Sequence, residues 1–69
     1  AIADYTRAIK IDPTDADAWN NRGAAYRGKN QIDRAMSDYR QALRINPKFD
    51  TAQENLEALR LLKKRGASD

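Results

Sequence analysis

Apolar residues recur along this chain at helical intervals. Ile2, Tyr5, Ala8 and Ile9 follow one another by three, three and one positions, the spacing of one helical face. Pro13 biases Asp12 away from the α region, so a first helix over residues 1–11 should stop there. Thr14 or Asp15 can cap a second helix, with Asp17 in its first turn and Ala18, Trp19, Gly23 and Tyr26 on one side. That helix should end around Gly28-Lys29-Asn30. A third is predicted from about Gln31 to Arg44, with Ile32, Ala35, Met36, Tyr39, Ala42 and Leu43 as its stripe, and Pro47 closes it. Asp50 and Gln53 have the spacing of a capping box for a fourth helix. Its stripe is Ala52, Leu56 and Leu59; it runs to about Arg65, where Gly66 is the expected stop. No segment alternates as a strand would, so the predicted class is all-α.

The pattern repeats. A shift of 34 residues sets Ala1 on Ala35, Asp4 on Asp38, Tyr5 on Tyr39, Ala8 on Ala42, Ile11 on Ile45 and Pro13 on Pro47. Self-similarity at one fixed spacing of this size is the mark of a repeat array. Within it stand Trp19-x-x-Arg22-Gly23-x-x-Tyr26, then Ala35-x-x-x-Tyr39, then Pro47. This resembles the tetratricopeptide repeat, a helix-turn-helix unit patterned W-x-x-L-G-x-x-Y, A-x-x-x-F, P. The resemblance implies helix-turn-helix repeats stacked as a short right-handed solenoid of four helices. Residues 16–49 would be one full repeat, and 1–15 the second helix and turn of the repeat before it. Residues 50–65 would be a capping helix, with Gln53, Glu57 and Arg60 in the slots of Trp, Gly and Tyr, and 66–69 a tail. Gly23 costs about 1 kcal/mol relative to Ala inside a helix; close approach of the partner helix at Ala35 would explain it. Trp19, Tyr26 and Tyr39 would fill the remaining space. Arg22 falls where the family places a buried Leu. Its stem can pack while its head reaches solvent, so Arg22→Leu is expected to be neutral or stabilising.

Composition narrows the chemistry. The chain has 69 residues, 41% hydrophobic and 33% charged, with no cysteine and no histidine. The commonest zinc ligands, the commonest general base and the most reactive nucleophile are therefore missing. Asp15 and Asp17 lie two apart, do not share a helical face, and suit cap and first-turn roles instead. Gly23, Gly28 and Gly66 are isolated, so no phosphate-binding loop is formed. No enzyme activity and no cofactor or metal is expected. No apolar run approaches the roughly 18 residues of a membrane span. Absence of cysteine and of any signal segment favours the cytoplasm, although an opening without Met, inside a helix, fits a piece of a longer protein. The net charge of +3 is too mild to point to nucleic acid by itself. Arg7, Lys10, Arg34, Arg40 and Arg44 fall on the first and third helices, and Lys63-Lys64-Arg65 close the fourth, where cations favour the helix dipole. A solvated face is the expected role of these charges.

Function then rests on what the resemblance implies: a groove for a peptide or partner protein. By matching slots the groove-facing positions are Asp17, Asn20, Ala24 and Arg27 on the second helix, and Thr51, Glu54, Ala58 and Leu61 on the fourth. Asn20 and Asn21 offer amide donors and acceptors for a peptide backbone, and Arg27 suits a carboxylate. Asn21 and Asn55 match the Asn slot of the carboxylate clamp of some chaperone-binding members, but the clamp's Lys slots are not filled. Replacing Asn20 or Arg27 by Ala is expected to weaken a bound peptide without moving the melting temperature. The alternative is assembly from copies of the chain. The first helix would leave Ile2, Tyr5 and Ile9 uncovered, and Leu61 points away from its own stripe. Copies could stack end to end, or exchange helices about Gly28–Asn30. A homo-oligomer is therefore expected, with an adaptor for an acidic or nucleic-acid surface as the weaker alternative.

Overall fold

The computed structural model describes residues 1–67 as four helices: α1 (Ile2–Ile11), α2 (Ala16–Gly28), α3 (Ile32–Ile45) and α4 (Asp50–Ala67). There is no strand among the described residues, and each helix packs on its neighbour in sequence. Residues 68 and 69 of the expected tail lie outside the described residues.

The two Pro turns are built alike. Asp12 and Asn46, each just before a proline, are extended, with φ −141° and −132°. Each side-chain oxygen accepts the amide two residues on, at 3.1 Å from Thr14 and 3.2 Å from Lys48. The Thr14 hydroxyl adds a bond to Asp12, and these bonds hold that carboxyl below its usual range. Of the two offered caps, Asp15 caps α2, accepting the Ala18 amide. Two end signals read differently in space. α4 starts at Asp50 itself, with the Gln53 amide bonded to the Phe49 carbonyl, so Asp50 is a first-turn acid and the expected capping box starts one residue too late. α4 also passes through Gly66 to Ala67, because glycine ends a helix only where it turns left-handed, and no glycine here has positive φ.

α3 is the centre of the core. Ala35, Met36 and Tyr39 pack with Leu56 and Leu59 of α4, and Tyr26, Ile32 and Leu43 close the sides. Tyr39 is 1% exposed, whereas Trp19 and Tyr26 are only half-buried. Trp19 sits at the rim because its indole N–H donates to the Pro13 carbonyl at 2.9 Å, tying α2 to the preceding turn. Gly23 has the role assigned to it: a Cβ there would lie 2.8 Å from the Tyr39 ring and 3.1 Å from the Ala35 carbonyl.

Two expectations are corrected. The stripe of α1 is not left open: α1 packs on α2, Ile9 is buried, and Ile2 and Tyr5 are half-buried. The large apolar side chains that stay exposed are Ile11, Leu61 and Leu62. Nor does the Arg22 head reach for solvent. It lies between α1 and α3, donating from Nε and Nη2 to the two Asp38 oxygens at 2.9 Å each and from Nη1 to Thr6 Oγ1 at 3.3 Å. The slot is polar on both sides in this chain, so the charge is partnered where the family buries an alkyl group.

Candidate functional site

The contact that joins α2 directly to α4 is a pair of amides. Asn55 Nδ2 donates to Asn20 Oδ1 at 3.2 Å, across 35 residues of sequence. Asn20 is 8% exposed and Asn55 half-buried. Around them Asp17, Asn21, Ala24 and Arg27 of α2 are exposed, as are Thr51, Glu54 and Ala58 of α4. Along α2, Asp17, Asn20, Ala24 and Arg27 step by three, four and three, so they share one face beside α4.

The bond between the amides uses one acceptor and one donor. Asn20 keeps its Nδ2 protons and Asn55 keeps its Oδ1 lone pairs. Among the described residues no fully buried side-chain nitrogen or oxygen lacks a partner, so neither of these remaining atoms is fully buried. The amide pair thus keeps both donor and acceptor capacity. Ala24 and Ala58 are small and exposed.

Leu61 is exposed like Thr51, Glu54 and Ala58 of α4. It lines a cleft with Met36 and Arg40 of α3 and with Glu57 and Arg60 of its own helix. Asn20 also has a structural part that its slot did not reveal, because its carbonyl oxygen ties α2 to α4. Replacing it would loosen the fold as well as any bound peptide.

The polar centre of the domain went unread in the sequence. Asp38 is 4% exposed and carries the Arg22 guanidinium, which stacks over Trp19 at 5.0 Å and Tyr26 at 5.6 Å. Donating to the Asp38 carboxylate raises the arginine's pKa above its ordinary value. A signal existed: the 34-residue shift places Asp4 on Asp38, and a repeated acid on a packed helix asks for a base. No helix among the described residues is long and apolar enough to cross a membrane.

Helix-turn-helix units, the glycine contact and the paired Pro turns agree with sequence comparison. A tetratricopeptide repeat family model matches residues 16–49, and a second model, described as TPR repeat, matches residues 1–28. The chain belongs to the tetratricopeptide repeat family. Among curated proteins it is similar to tetratricopeptide repeat protein 36 of Caenorhabditis briggsae, 42% identical over 53 residues, covering 75% of this chain and 30% of that protein. The small glutamine-rich tetratricopeptide repeat-containing protein 2 of Mycosarcoma maydis is 39% identical over 56 residues, 81% of this chain and 16% of that protein. A peroxisomal targeting signal receptor of Candida glabrata is 35% identical over 52 residues, 75% of this chain and 9% of its own length. The chain therefore spans less than a third of the length of these relatives. Membership makes it a protein-interaction module.

Proposed function

We propose that the α2–α4 face holds an extended peptide or a partner's segment, without catalysis. The observation that carries this is the amide pair: Asn55 Nδ2 bonds Asn20 Oδ1, which leaves Asn20 Nδ2 and Asn55 Oδ1 with hydrogen-bonding capacity unspent. Arg27 stands exposed at one end of the stripe and suits a carboxylate, while Asp17 at the other end suits a cation. Asn21 and Glu54 flank the pair and add polar partners. The name of the peroxisomal receptor among the relatives, a protein that reads a targeting signal, is in keeping with peptide capture.

The test is selection of binders from a displayed peptide library on the immobilised chain, followed by titration of one selected peptide. Arg27→Ala should weaken it by about tenfold, the loss of one charge-assisted hydrogen bond. Arg40→Ala, on α3, should leave it unchanged. Equal losses from both variants would sink the groove and point to diffuse charge attraction.

A second reading, assembly from copies of the chain, draws on exposed Leu61 and Leu62 and on half-buried Ile2 and Tyr5. Burial of Ile9 inside the chain takes away part of the surface that would drive it. Sedimentation over a hundredfold concentration range separates the two, since a cooperative monomer throughout leaves the groove alone.

A further inference from the structure

We propose that the cleft between α3 and α4, distinct from the α2–α4 groove, docks an acidic amphipathic helix of a partner protein. Glu57 follows Asn55 by two residues, which turns it about 160° around α4 from the side that faces α2. On that far side one cleft is lined by Met36 and Leu61 and a second by Leu43 and Leu56, with Met36 and Leu56 buried at their floors. Leu61 is 55% exposed, and nothing among the described residues covers it. Arg40 lines both clefts, with Arg44 beyond it on α3 and Arg60 on the opposite bank. Glu57 is the one carboxylate in the lining, and it already pairs with Arg60 at 3.8 Å. Neither Arg40 nor Arg44 has a carboxylate within salt-bridge distance among the described residues.

A second copy does not suit this cleft. The helix of this chain that matches α3 is α1, with Tyr5 in the slot of Tyr39. In the repeat's own register Tyr5 of a second copy would meet Glu57, which occupies the slot of Gly23. At Gly23 even one added carbon would lie 2.8 Å from the tyrosine ring. A second α1 would also bring Arg7 and Lys10 toward a surface already basic. The complementary occupant has the opposite character: a short apolar stripe, a small residue opposite Glu57, and acids on its flanks. Met36 to Leu43 spans about 10 Å of helix, so two to three turns suffice.

The probe is a fluorescein-labelled helix of about four turns, held by a side-chain lactam, with Leu and Ala on one face and Glu on both flanks. Its anisotropy should report saturable binding to the 69-residue chain. The doublet Arg40→Glu with Arg44→Glu should weaken binding by at least about tenfold through like-charge contact. Arg7→Glu on α1 and Arg27→Ala in the groove should leave it unchanged, which keeps this result separable from the fate of the groove. Urea midpoints of all variants should match the parent. The idea fails if a Lys-flanked version of the helix binds equally well, or if the doublet binds like the parent. It also fails if an RNA oligonucleotide displaces the peptide with steep salt dependence, which would give the cleft to nucleic acid, or if the doublet dissolves a self-associated form of the chain.

Discussion

Arg22 and Asp38 meet through two parallel hydrogen bonds, Nε to Oδ2 and Nη2 to Oδ1, each 2.9 Å, and their side chains are only 17% and 5% exposed. A fork of this kind fixes orientation as well as distance, so it registers α2 on α3 at one angle. Thr6 takes the remaining Nη1 at 3.3 Å and brings α1 into the same junction. Arg22→Leu leaves Asp38 with a desolvated carboxylate, a change that costs about 3–5 kcal/mol for a fully buried pair. Partial exposure of the arginine reduces this to about 2–4 kcal/mol, read as a lower urea midpoint. Replacing both partners with apolar residues should recover most of it, since the pair itself is close to neutral in balance. A single Arg22→Leu variant as stable as the parent would mean the fork does not form.

Gly23 and Gly28 should respond oppositely to alanine. At Gly23 the new carbon meets the Tyr39 ring at 2.8 and 2.9 Å and the Ala35 backbone oxygen at 3.1 Å, and Tyr39 is too buried to swing aside. The helix gains about 1 kcal/mol of propensity, but overpacking costs about 1–3 kcal/mol, so Gly23→Ala should destabilise on balance. Gly23→Leu should not fold to the same structure. Gly28 is exposed, with nothing within 4 Å and no positive φ. Gly28→Ala should therefore raise stability by about 0.4–1 kcal/mol. Thermal melts of the two alanine variants give the comparison directly.

Periodicity and the doubled Pro turns made the fold readable, because helical spacing and proline act locally on the chain. The glycine slot could be read too, since only a close contact explains a glycine between Trp19 and Tyr26. Pairings across helices were harder. Arg22 in an apolar slot looked like a snorkelling side chain, and its answer, Asp38, lies on another helix with no local signature. Asn20 carries the same lesson: its slot belongs to a groove, yet its carbonyl is spent on Asn55 from a helix 35 residues away. Asp17, Ala24, Arg27, Thr51, Glu54 and Ala58, picked out by slot matching, are exposed. The basic cleft of Arg40 and Arg44 emerged only when α4 laid Leu56 and Leu61 beside α3.

Burial raises the Tyr39 phenol above its ordinary value, with Asp38 adding to the shift and Arg27 opposing it. The neutral form is the one the fold holds. Its contribution is therefore full below the unfolded value of about 10 and is lost as pH climbs from there toward the folded value. In an alkaline titration followed by tyrosinate absorbance, Tyr39 should ionise together with loss of helix. Tyr39→Phe keeps the ring against Gly23 and should shift alkaline unfolding to higher pH. If the Tyr39 phenol ionised before any helix was lost, its site would be open to water.

The turn between α2 and α3 decides whether copies can exchange helices. The Gln31 amide bonds the Tyr26 carbonyl and the Asn30 amide bonds the Arg27 carbonyl, both at 2.9 Å. This is the paired closure that ends a helix on a left-handed residue, and Asn30 supplies it at φ 64°. In an exchanged dimer α2 and α3 would run on as one helix, and Asn30 would return to ordinary helical geometry. A β-branched residue held left-handed costs about 1–2 kcal/mol, whereas glycine is free of that penalty. Asn30→Val should therefore raise any dimer population and Asn30→Gly lower it, with the parent between them. Sedimentation velocity at matched concentrations reads the order, and small-angle scattering would show the longer helix in the valine variant. Dimer populations indifferent to both substitutions would remove exchange.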